Sequence, residues 1–111
     1  MINRRSAKGP EDLVDETMKR ITWGLYIMLN STSYAKYKKP FKTLFFDSPL
    51  DAFNLIKDSS SSNSARALFK VLARALGFEQ PKIDYLVESL ERGDDSKFRE
   101  ELEKIYKVKR K

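Results

Sequence analysis

A chain of 111 residues with no cysteine and no histidine lacks disulfides, thiolate chemistry, the commonest general base and the commonest transition-metal ligand. Hydrophobic residues at 41% and aromatics at 12% suffice for one modest core and argue against an intrinsically disordered chain. A formal charge of +6 favours an anionic partner, nucleic acid or an acidic protein face.

No stretch supplies the ~20 apolar residues of a membrane span. Arg4 and Arg5 lead into no apolar segment of the signal-peptide kind. The expectation is a cytoplasmic protein with no membrane partner. A single glutamine among abundant Lys and Glu leans the composition toward a thermophile.

Residues 1–9 read as a flexible basic arm carrying Arg4, Arg5 and Lys8, residues 10–108 as a single helical domain, and residues 109–111 as a basic tail. Pro10 suits a first helical position, and Glu11, Asp12, Asp15 and Glu16 follow it where the helix dipole favours acids. Val14, Met18, Ile21, Leu25 and Met28 recur at spacings of four and three, which predicts one helix from Pro10 to Asn30 with these residues as its core stripe. Trp23, Tyr26, Ile27 and Leu29 make its second half apolar nearly all round. Such a helix is enclosed by others or shows half of itself to a partner, and enclosure is the favoured expectation.

Ser31, Thr32 and Ser33 cap a short helical turn containing Tyr34–Lys38 on this reading. Lys39 precedes Pro40 and is pushed off helical angles; Phe41–Phe46 is left open between a short helix and an extended segment. Ser48 as N-cap, Pro49 at the first position and Asp51 at the third start a helix to about Lys57. The serine run 59–64 is read as a helix–helix connection. Ala65–Leu76 follows as an amphipathic helix with Gly77 just past its end. Pro81 opens a helix whose Ile83, Leu86, Val87 and Leu90 face one way, and Gly93 stops it. Asp94-Asp95-Ser96 caps a last helix with Phe98, Leu102 and Ile105 as its stripe and Glu100/Lys104 and Glu103/Lys107 as i,i+4 pairs. The predicted fold is all-α, a compact bundle of five to six short helices joined by short loops.

Three features bear on function. Arg66, Lys70 and Arg74 form a cationic stripe opposite the apolar side of their helix, with no acid between Asp58 and Glu79. Ser62 and Ser64 lie at that helix's positive end, an arrangement that suits phosphate. Tyr34, Lys36, Tyr37, Lys38, Lys39 and Lys42 interleave rings with cations, as in single-strand binders where rings stack on bases. The terminal cations add the same sign. The acids Glu79, Asp84, Glu88, Glu91, Asp94 and Asp95 are read as a solvated helix side and caps rather than as a metal or general-acid site. No phosphate-binding glycine loop, nucleotide fingerprint, nucleophile elbow or zinc spacing occurs.

The leading expectation is therefore a non-enzymatic, cofactor-free, metal-free module that contacts DNA or RNA mainly through phosphates with little sequence specificity. The alternative is a protein-interaction or accessory subunit: a partner of a larger nucleic-acid enzyme, or a self-associating bundle. It would use an apolar face formed by Trp23, Tyr26, Ile27, Phe45 and Phe46.

Overall fold

A computed structural model describes residues 9–110 of the chain, with side chains to Ile105. The arm cations Arg4, Arg5 and Lys8 and the tail residue Lys111 lie outside the described residues, as do the side chains of Lys107, Lys109 and Arg110. Among the described residues there are seven helices and no strand: α1 (Pro10–Ile21), α2 (Trp23–Tyr37), α3 (Phe41–Asp47), α4 (Pro49–Ser59), α5 (Ser62–Ala75), α6 (Gln80–Glu91) and α7 (Ser96–Arg110). The class is as expected; the helix number is higher, and the difference arises in the first half.

The expected single helix from Pro10 to Asn30 is two helices that meet at Thr22. This residue leaves helical angles (φ −153°, ψ 60°) while its N–H still donates to the Met18 carbonyl and its own carbonyl accepts from Tyr26 N–H, both at 2.9 Å. The break is a true corner. Tyr26 Oη donates to Asp15 Oδ1 at 2.6 Å, whereas a straight helix would hold residues eleven apart about 16 Å from each other. The corner rotates α2, so Tyr26, Leu29 and Ser33 point inward. Ile21 and Met28, expected in the core, are instead 44% and 48% exposed.

Ser31–Ser33 caps nothing; it lies inside α2. Ser33 Oγ donates to the Lys39 carbonyl at 2.7 Å. Asn30 Oδ1 accepts the Phe41 N–H at 2.8 Å, satisfying one of the donors that the start of α3 leaves without a helical acceptor. Lys38 takes a left-handed angle (φ 65°) to end α2. These contacts fix the corner that turns Phe41–Asp47 inward, and Phe41, Leu44, Phe45 and Phe46 are all buried.

Phenylalanine rings form a cluster within the core. Phe45 is its centre, with ring centroids 5.1 Å from Phe46, 5.0 Å from Phe69 and 5.8 Å from Phe98. Phe53 extends the cluster from α4 through Phe69, and Phe78 extends it through Phe98. Tyr26 meets Phe41 edge-on at 6.2 Å. Val14 and Met18 of α1 and Ile83, Leu86, Val87 and Leu90 of α6 complete the core, as their spacing predicts.

Local signals place the second half. Ser48 precedes Pro49 at the start of α4 as expected, but its hydroxyl donates to Asp51. The open Leu50 N–H is taken by Asp95 Oδ2 at 3.1 Å, from the link before α7. Most of the serine run is helical: only Ser60 and Ser61 lie between α4 and α5, and Ser61 Oγ accepts from Ser64 N–H at 3.0 Å. Gly77 (φ 99°) ends α5, and Phe78 N–H returns to the Ala73 carbonyl at 3.1 Å, the 6→1 bond of a Schellman cap.

Candidate interaction surface

The cationic stripe of α5 is matched by its neighbour. Arg66 Nε lies 2.6 Å from Glu91 Oε2, and its guanidinium also reaches Asn63 Oδ1 at 3.3 Å. Lys70 Nζ is 3.6 Å from Asp84 Oδ1. Arg74 donates to Gln80 Oε1 at 2.6 Å, and Gln80 in turn donates to Asp84. Arg66 and Lys70 therefore line a shallow groove with Asp84, Val87, Glu88 and Glu91, which carries more acid than base. The chain sequence shows no acid near the stripe; the folded chain brings two from α6. Ser64 is likewise engaged, its hydroxyl accepting from Ser60 and Ser61, while Ser62 is exposed.

The ring-and-cation segment divides. Tyr37 packs half-buried against the core. Lys39 is held by Asp47 at 2.6 Å. Lys42 is partly buried and lies close enough to Asp15 to favour its charged form. Tyr34, Lys36 and Lys38 face water, and among the described residues neither lysine has an acidic partner. The two cationic groups belong to different helix pairs, with α6 beside the stripe and α3 beside Lys39.

The apolar residues proposed as a partner face are split by the fold. Tyr26, Phe45 and Phe46 are core residues and leave that face: the corner at Thr22 turns Tyr26 inward, and α3 carries both phenylalanines into the aromatic cluster. Trp23 and Ile27 go the other way, against the expectation of enclosure. They are 55% and 49% exposed, joined by Met28 at 48% and Tyr34 at 53%. On a helix these four fall within an arc of about 140°, together with Gly24, Ser31 and Ala35. Nothing on this arc is charged, since α2 carries no ionisable group other than tyrosine before Lys36. α2 packs on α1, α3 and α4 with its opposite side.

Electrostatics inside the fold are structural. Burial disfavours a charged Asp15, but the hydrogen bond from Tyr26 and the Lys19 ammonium at 3.0 Å outweigh it, and its pKa lies below the usual 3.8. Burial and the Asp15 carboxylate push the Tyr26 phenol well above the ordinary tyrosine value of 10.0. Glu101 is held low, against its burial, by Lys82 and Lys104. This replaces the expected Glu100/Lys104 pair. Asp94 is held low by the Ser96 N–H and hydroxyl. Among the described residues no three acidic side chains converge as metal ligands would, and no helix is long and apolar enough to cross a membrane.

No protein family, curated protein or solved structure matches this chain.

Proposed function

We propose that this chain is a non-enzymatic helical interaction module that docks on another protein surface through the exposed face of α2. The observation that carries this reading is the half-exposed set Trp23, Ile27, Met28 and Tyr34 on one uncharged helix side. The chain spends seven phenylalanines on its core yet leaves its one tryptophan in water. Aromatic and methionine side chains grouped in this way are what protein interfaces enrich. The experiment is photo-crosslinking in cell extract with a benzophenone side chain at position 23 or, in a second protein, at position 70. Adducts with protein at 23 and none at 70 are expected. Absence of protein adducts at 23, with nucleic acid captured at 70, would refute the reading.

A second reading, the nucleic-acid module, is favoured by one corner of the structure. Tyr34, Lys36 and Lys38 are exposed together at the end of α2, without acids to neutralise them. On that reading Lys36 and Lys38 contact phosphate, and replacing both with Ala lowers the salt slope of DNA or RNA binding by about two units. The ion-paired Arg66 and Lys70 then contribute less than their charge suggests. Salt titrations of the two proteins on one labelled oligonucleotide check this.

A further inference from the structure

We infer that the occupant of the α2 face is a second copy of this chain, the two α2 helices lying antiparallel about a two-fold axis at the level of Leu29. This deepens the proposed docking role and rests on it.

The face is self-complementary in that orientation. Its centre line runs Gly24, Ile27, Ser31, Tyr34, alternating small and large at spacings of three and four. Gly24 and Tyr34 straddle Leu29 symmetrically, and so do Ile27 and Ser31. An antiparallel pair therefore sets Gly24 against Tyr34 of the second copy and Ile27 against Ser31 of the second copy, small against large in every layer. Trp23 then lies along one edge beside Tyr34 of the second copy, and Met28 meets its counterpart along the other. A parallel pair sets like against like, bulk on bulk and notch on notch. Sliding the antiparallel pair by a heptad halves the overlap.

Gly24 supplies an independent reason. A Cβ built there meets nothing within 4 Å, and its φ is outside the left-handed region. Among the described residues nothing requires glycine at this position, the second of α2, and alanine is the better helix former. A tyrosine ring entering from outside does require it.

Size and charge agree. The exposed parts of Trp23, Ile27, Met28 and Tyr34 with the small residues between them amount to roughly 500 Å² per chain, about 1,000 Å² for the pair, the lower edge of a specific interface. The face holds no ion to desolvate. Each copy carries a formal charge of +6, and like net charges repel, so association strengthens as salt rises. Contacts with DNA, RNA or anionic lipid weaken under the same change.

The test is sedimentation of the full chain over a concentration series at two salt concentrations. A monomer–dimer equilibrium is expected, with a Kd on the order of 10–100 µM that tightens with salt. Gly24→Leu should raise the Kd at least tenfold while raising Tm, because leucine is the better helix former and fills only outward space. In the cysteine-free background, mixed Gly24→Cys and Tyr34→Cys chains should form a disulfide dimer. Neither variant should do so alone, since like positions lie about 15 Å apart along the antiparallel pair. Disulfide dimers from one variant by itself would overturn the register. A wild type monomeric to 1 mM would overturn the second copy as occupant. If position 23 still cross-links another protein, the docking face survives; if Trp23 emission responds only to phosphatidylserine vesicles, both readings fail.

Discussion

Replacing Phe45 with Ala removes the ring on which the fold converges. The side chain is fully buried and touches helices α3, α5 and α7 through Phe46, Phe69 and Phe98 at centroid distances of 5.1, 5.0 and 5.8 Å. A buried Phe→Ala change costs about 3–5 kcal/mol, with the cavity setting the place in that range. Here three edge or tilted ring pairs, each worth about 0.5–1.5 kcal/mol beyond area burial, disappear together. The rings that remain come from three helices and cannot all close on one void, so the cost belongs near the top, about 5 kcal/mol. A domain of this length has a total stability of roughly 5–15 kcal/mol. Near 4 °C per kcal/mol, Tm should fall by about 20 °C. Thermal and urea melts followed by far-UV circular dichroism measure this, and an unchanged m-value would show that the unfolded state is unaltered. A loss below about 1 kcal/mol, with self-association abolished instead, would refute the placement of α3 and return Phe45 to a partner face.

Tyr26→Phe should destabilise by about 1–2 kcal/mol near neutral pH through loss of a hydrogen bond to a carboxylate, and the pH dependence is the sharper check. Asp15 has a depressed pKa, so its contribution is present above the unfolded value of 3.8 and is lost as pH falls through the lower folded value. The difference between wild type and variant should therefore shrink in acid. It should also shrink above pH 10, because Tyr26 has a raised pKa and its stabilisation is lost as the unfolded phenol ionises. Melts at pH 7, 3 and 10.5 decide it, and a pH-independent difference would refute the pairing. For the stripe, a double-mutant cycle on Arg66→Ala and Glu91→Ala should give a coupling of about 0.2–1 kcal/mol that declines with salt, as for partly exposed pairs. Zero coupling at low salt would return Arg66 to the solvent and reopen the stripe to phosphate.

The contrast between α6 and α2 shows what one chain of letters can carry. α6 was readable because its stop signal is covalent: Gly93 adopts φ 85°, which other residues rarely reach, and Ile83, Leu86, Val87 and Leu90 have one side to hide. The corner at Thr22 has no such mark. Neither glycine nor proline stands there, and periodicity counted through it assigned Ile21 and Met28 to the wrong side. The absence of charge from Ile21 to Ala35 was legible as an apolar surplus, but a helix apolar all round carries little information on which side turns inward. That choice was made by Asp15 capturing the Tyr26 hydroxyl, a contact eleven residues long that no local pattern encodes.

The stripe on α5 is matched within the fold, and the way it is matched bears on the α2 face. Arg66 and Glu91, Lys70 and Asp84, and Arg74 and Gln80 all straddle the Gly77–Phe78 turn almost symmetrically. Two helices joined by a tight turn run antiparallel, so residues equidistant from the turn face each other, and a gap in acid along α5 is filled from α6. The complement was in the sequence, one helix farther on. For α2 no such helix stands among the described residues: it packs on α1, α3 and α4, its buried residues are Tyr26, Leu29 and Ser33, and Trp23, Ile27, Met28 and Tyr34 stay exposed. The same equidistance rule, applied about Leu29, finds Gly24 against Tyr34 and Ile27 against Ser31 within α2 itself. Among the described residues the charged side of α5 thus finds its match on α6, while the uncharged side of α2 finds one by the same rule in its own image, which is the pairing we propose.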